Sequence, residues 1–194
     1  MEEIIRQGLR DSAALLERVA EEMTPQIATA AAEAIACLQR GGKIALCGNG
    51  GSASQAQHLA GELIGRFRRE RPAYAGIAFN ADTTILTAIG NDYGYDEVFR
   101  RQVEGLLVPG DMLVCLSTSG NSENLIRAAE QARANGIFTL GMTGASGGRL
   151  GEVVDLCLRV PYPVTSVVQE AHLAMGHLIC ELIEVTMVEA GERP

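Results

Sequence analysis

Lys43-Ile44-Ala45-Leu46-Cys47-Gly48-Asn49-Gly50-Gly51-Ser52 and, about 70 residues on, Met112-Leu113-Val114-Cys115-Leu116-Ser117-Thr118-Ser119-Gly120-Asn121-Ser122 decide the reading of this chain. In each, an apolar run of strand length ends in a turn of glycine and hydroxyl residues, and a helical stretch follows. Gly and Ser punctuate most strand-to-helix turns for conformational reasons alone. The second turn says more, because it places four hydroxyls in six residues beside a helix start. The first N–H groups of a helix have no intrahelical partner, and the helix dipole favours negative charge there. Two such turns in one α/β chain point to a ligand with a phosphate at one end and polyol chemistry along its length.

Working outward, a helical stripe of Ile5, Leu9, Leu16 and Val19 covers 2–22. Thr24-Pro25 reads as an N-cap followed by proline at the first helical position, so a second helix is expected to about Leu38, closed by Gly41-Gly42. Strands are expected at 43–47, 76–79, 111–116, 137–141 and 155–160. Helices are expected at about 53–65, with Ser52 as its cap, and at 82–89, 96–106, 122–135 and 166–189, with a loop over 90–94. Strands alternating with helices make a parallel sheet covered on both faces. Ligands of such sheets bind outside the carboxyl ends of the strands, where both turns fall.

The 194 residues suit one domain, and 47% apolar content is enough for a full core. A net charge of −8 argues against a nucleic-acid groove as the main surface. No uninterrupted apolar run is long enough to span a bilayer, and the charged start MEEIIRQGLRDS lacks a signal-peptide core. Cys37, Cys47, Cys115, Cys157 and Cys180 form no CxxC pair and read as small hydrophobes in a reducing cytoplasm.

His58 and Glu62, four apart on the helix after the first turn, share a face. That spacing alone suits an exposed helix pair as well as two ligands of a metal. Gln169, His172 and His177 on the last helix are the nearest in kind to further ligands. At 3.6 residues per turn, Gln169 lies about 80° from His177 and about 60° the other way from His172. Helical geometry leaves both histidines open.

The stretches CGNGGSASQAQHLAGELIGRFRRERP, IGNDYGYDEVF, LSTSGNSENLIRAA and QEAHLAMGHLICELIE together resemble the phosphoheptose isomerases of the SIS, or sugar isomerase, family, over nearly the whole chain. The resemblance implies a single SIS domain over 1–194 with a five-stranded parallel sheet flanked by helices. It also implies a cytoplasmic homotetramer with active sites at subunit interfaces, residues 1–40 serving in oligomer packing. It implies one zinc per subunit on His58, Glu62, Gln169 and His177. Sugar-phosphate contacts fall on Asn49, Gly50, Gly51, Ser52, Glu62, Asn91, Asp92, Ser117, Thr118, Ser119, Ser122 and Gln169. One departure is Ser166, where the family often carries Asp three residues before the ligating Gln.

The implied activity is conversion of sedoheptulose 7-phosphate to D-glycero-D-manno-heptose 7-phosphate, the first step of nucleotide-activated heptose biosynthesis, which feeds glycans such as lipopolysaccharide. A proton moves between C1 and C2 through an enediol, which needs a base at carbon and an acid or electrophile at oxygen. The resemblance assigns Glu62 as base and His177 as proton shuttle at oxygen. A carboxylate that coordinates a metal is a poor base while it does so, so the base and ligand roles of Glu62 stand in tension. Two rival readings are a non-enzymatic SIS tetramer of the DnaA initiator-associating type and a sugar-phosphate sensor. Glu62 and His177 speak against the first, which lacks that Glu and that His. The second usually carries a fused DNA-binding domain, for which 194 residues leave no room. The basic run Arg66-Phe67-Arg68-Arg69-Glu70-Arg71 reads as a solvated or interface segment, with Arg66 placed to help neutralise a phosphate held by a neighbouring subunit.

Overall fold

The structure, a computed structural model, describes residues 1–191; residues 192–194 of the expected single domain lie outside it. Five strands, β1 (Ile44–Gly48), β2 (Gly76–Ala78), β3 (Met112–Ser117), β4 (Phe138–Gly144) and β5 (Leu156–Val160), form one sheet in the order β2-β1-β3-β4-β5. Every pairing is parallel. The order reverses between β1 and β3, so the crevice that doubly wound sheets use for ligands opens above these two strands. Both glycine turns leave from that place.

The strands are buried on both faces, and their side chains alternate between two cores. Ile44, Leu46, Met112, Val114 and Leu116 face one core. It is closed by three helices, α1 (Glu2–Gln39), α2 (Gly51–Ile64) and α7 (Thr165–Glu189). Ala45, Cys47, Leu113 and Cys115 face the other. There Phe99, Val103, Leu125 and Ile126 complete the packing from α4 (Arg100–Leu106), its N-cap and α5 (Glu123–Ala134). All five cysteines are free thiols, four of them buried. By length and composition α7 could cross a membrane. In this fold it is the core helix, with Met175, Ile183 and Met187 fully covered.

Several local expectations are corrected. Residues 2–39 form one helix, not two, with Pro25 inside it. Leu15, Val19, Met23 and Ile27 make an unbroken buried stripe across the proline, and packing of that stripe overrides the stop signal. Pro25 and Glu21, whose carbonyl loses its partner, both lie on the exposed side. The Thr24 and Thr29 hydroxyls donate back to the Ala20 and Pro25 carbonyls. Ser52 is not a cap but a buried residue of the first turn of α2, whose N-cap is Gly50 with φ +56°. The stretch read as a loop over 90–94 begins too early. Helix α3 (Thr83–Asp92) runs through Gly90 and Asn91, starts at a cap in which Asp82 accepts from the Ile85 N–H, and stops before Gly94 at φ +90°. The helix expected at 96–106 is a 3-10 turn (Tyr95–Glu97) followed by α4, and α6 (Leu150–Val153) was not expected at all.

Candidate active site

The two turns are held together beneath the crevice by a pair of asparagines. Asn49 and buried Asn124 exchange side-chain amide hydrogen bonds of 2.9 and 3.0 Å, and Tyr95 donates its hydroxyl to Asn49 Oδ1 at 3.2 Å. In the second turn Ser117 is buried and its Oγ lies 3.4 Å from Ser122 Oγ, while Thr118 is partly exposed and Ser119 exposed. Gly120 takes φ +66° and a Cβ there would fall 2.0 Å from the Gly147 carbonyl oxygen, so only glycine fits. Ser122 is the N-cap of α5, yet its hydroxyl makes no capping bond. The first N–H groups of α5 thus stay available to an anion. Glu123, the acid of that turn, is tied to Arg127 and Arg149, which draw its carboxyl below the usual range.

A second cluster lies between α2 and α7. Gly176 on α7 faces Leu59 on α2 so closely that a Cβ would stand 2.6 Å from a Leu59 methyl. This approach lets the flanking side chains meet. His58 Nε2 lies 2.8 Å from His177 Nε2 and 3.3 Å from Glu62 Oε1. One ligand atom from each of the three falls within 4.8 Å of the others. Two imidazoles and a carboxylate form a candidate metal site of the borderline nitrogen–oxygen type. Phe67 stacks on the His177 ring with centroids 5.3 Å apart. Burial pushes the His177 imidazole below its ordinary range; His58 and Arg68 act in the same direction and Glu62 opposes them. His58 keeps 47% of its side chain exposed, so the cluster opens to the surface.

The remaining expected residues are placed as follows. His172 is fully buried and its Nε2 lies 3.1 Å from the Thr143 carbonyl oxygen, away from the cluster. Gln169 lies at the first turn of α2, where its amide reaches Ser52 Oγ at 3.4 Å and stands against Gly51. His58 is seven residues, about 10 Å, further along α2. Gln55 donates to the Gln169 carbonyl at 2.6 Å, holding α7 to α2 at that level. Asn91 and Asp92 are exposed at the end of α3 and bond to each other. Ser166 is exposed at the start of α7. Sequence reading missed Asn124, Tyr95, Phe67 and the buried pair Arg71–Glu184. A lone acid in the apolar stripe of α7, seven residues after His177, was the one available sign of that pair.

A doubly wound sheet with two phosphate-type turns at its reversal point defines the class, and the SIS domain family matches residues 9–144. A phosphoheptose isomerase of Rhodospirillum rubrum is 50% identical over 95% of this chain and 97% of its own length. The solved phosphoheptose isomerases of Neisseria gonorrhoeae and Francisella tularensis superpose with TM-scores of 0.90 and 0.91 at 38% and 36% identity. They cover 95% and 94% of this chain and 98% and 97% of their own. The chain belongs to the phosphoheptose isomerase family.

Proposed function

We propose that the protein is an aldose–ketose isomerase converting sedoheptulose 7-phosphate to D-glycero-D-manno-heptose 7-phosphate in the cytoplasm. The observation that carries this reading is the meeting of His58, Glu62 and His177 from two helices far apart in sequence. The rival recruitment protein lacks that Glu and that His, so it is not favoured.

In this reading Ser117, Thr118, Ser119 and Ser122 wrap the 7-phosphate at the start of α5, with Asn49, Gly50, Gly51, Ser52, Asn91, Asp92 and Gln169 along the sugar. Anchoring the distant end presents C1 and C2 to the reacting groups. Glu62 takes the carbon-bound proton, and His177, its imidazole largely neutral at pH 7, accepts and returns protons at the oxygens. His58, Glu62 and His177 would hold zinc, one per subunit; Gln169, the fourth ligand of this reading, stands against Gly51 at the start of α2 and would join them only after a shift larger than a turn of its amide. Bound zinc supplies Lewis-acid polarisation of the sugar oxygens. Glu62 would be a weaker base while it held such an ion, so either it would loosen from the ion when sugar binds or the ion would mainly order the site. The open face of the cluster, and the exposed Ile4, Ile5, Leu9 and Leu16 on α1, fit a homotetramer whose neighbours complete each site.

The test is incubation with sedoheptulose 7-phosphate and zinc, with product detected by a downstream heptose kinase. Turnover supports the reading, and its absence refutes it.

A further inference from the structure

Between the end of α2 and α7 lies a charged pair with almost no access to water: Arg71 and Glu184 each keep 1% of their side chains exposed, with Nε 2.9 Å from Oε1. Buried ion pairs are costly, and replacing one with apolar residues often leaves stability intact. What stands out is where the remaining hydrogen-bonding capacity goes. Glu184 accepts the backbone N–H groups of Phe67, Arg68 and Arg69 at 2.7, 2.8 and 3.0 Å. Burial alone would raise its carboxyl, but these three donors and Arg71 hold it below the ordinary range. Arg71 in turn donates to the Glu62 and Leu63 carbonyls at 2.7 and 2.8 Å. Its guanidinium lies 4.0 Å from the Tyr74 ring.

Those carbonyls belong to the last turn of α2, where carbonyls lack intrahelical partners; that of Leu63 also accepts the Tyr74 N–H at 3.0 Å. Helix α2 has no basic residue in that turn. Glu62, the expected base, sits in that turn. The N–H of Phe67 is one of the three that Glu184 fixes, and the Phe67 ring is the one stacked on His177. One buried pair therefore reaches both reacting groups without touching either side chain. We propose that Arg71 and Glu184 are positioning residues for the isomerisation: Arg71 caps α2 to hold Glu62, and Glu184 pins the 67–69 turn so that Phe67 fixes the His177 ring.

The proposal rests on the reading of Glu62 and His177 as the reacting groups, and its test separates the two. Wild-type protein is assayed first with sedoheptulose 7-phosphate and zinc. The double variant Arg71→Met/Glu184→Met removes both charges without stranding either. It frees three backbone N–H groups and two carbonyls, so its melting temperature should fall while the fold is kept. Its kcat should fall about 10- to 100-fold, the usual loss when an outer partner of a reacting or ligating group is removed, with KM changed less than about 3-fold because the sugar-binding turns lie elsewhere. Amide exchange at Phe67, Arg68 and Arg69 should accelerate. Phe67→Leu should lower kcat in the same direction while those amides stay protected. Should the double variant not fold, Phe67→Leu and Glu184→Gln, which keeps an oxygen acceptor, supply the same readouts. Wild-type kcat with unchanged exchange in folded variants overturns the proposal. Absence of turnover in the wild type refutes the isomerase reading instead; amide exchange and zinc content of the variants then decide the positioning role, and wild-type values for both overturn it.

Discussion

Part of the acid destabilisation of this protein should come from one buried residue, His172. It is fully buried, its Nε2 is used on the Thr143 carbonyl, and its Nδ1 has no partner. Protonating Nδ1 would put an unpaired charge in the core, so burial lowers the imidazole from 6.5 to about 4, against a small opposing effect of the Thr143 carbonyl. The unfolded chain takes up this proton below pH 6.5 while the folded chain resists it to about pH 4. Stability from His172 is thus complete above the unfolded value and is lost as pH falls through that window. At one pKa unit per about 1.4 kcal/mol, the full loss is about 3 kcal/mol, most of it spent by pH 4.5. Urea unfolding at pH 7 and pH 4.5 reads it directly. His172→Gln keeps an N–H donor near the Nε2 position and cannot titrate. It should cost stability at pH 7 yet show an acid loss smaller than wild type by about 2.5 kcal/mol. The carboxylates and His177 titrate alike in both proteins and cancel in the comparison. Equal acid losses in the two would refute the assignment, as would an NMR titration showing His172 protonated above pH 5.5.

Glu62→Gln keeps size and removes the base; retention of more than about a tenth of the rate, a barrier change under ~1.4 kcal/mol, would show that Glu62 does not take the proton. His58→Ala and Gln169→Ala should each lower zinc per subunit without unfolding the chain, and full metal in both by elemental analysis would exclude the site. Gly120→Ala must adopt φ +66° with its Cβ 2.0 Å from the Gly147 oxygen. The conformation alone costs about 1–2 kcal/mol, so melting temperature and sugar-phosphate affinity should both drop, and a wild-type affinity would remove the turn from the binding site.

The sheet was legible because a buried parallel strand is a local statement: five or six apolar residues closed by a turn. The hydroxyl turns were legible for the same reason. What failed was any inference from a local stop signal against a long-range stripe. Thr24-Pro25 carries good start chemistry, but four buried residues spaced four apart run straight across it. Gly90-Asn91 looks like a breaker, yet a glycine that needs no positive φ does not end a helix; Gly94 does. Ser52 has a cap's chemistry, but a left-handed Gly50 takes the cap position and turns Ser52 inward.

The site divides along a similar line. Spacing put His58 beside Glu62 but left His172 and His177 equivalent relative to Gln169. The choice between them is made by the neighbour rather than by the helix: Gly176 lets α7 approach α2 at Leu59, and the residue next to that contact, His177, reaches His58. His172, five residues earlier, turns under the sheet to Thr143. A glycine at a helix crossing leaves no periodic mark in sequence, so which histidine of α7 meets His58 is set by a contact between two chain segments, and a single chain of letters read one helix at a time has no access to it. The same holds for Glu184, which is conspicuous as an acid in an apolar stripe but acquires a purpose only where Phe67, Arg68 and Arg69 present their N–H groups to it.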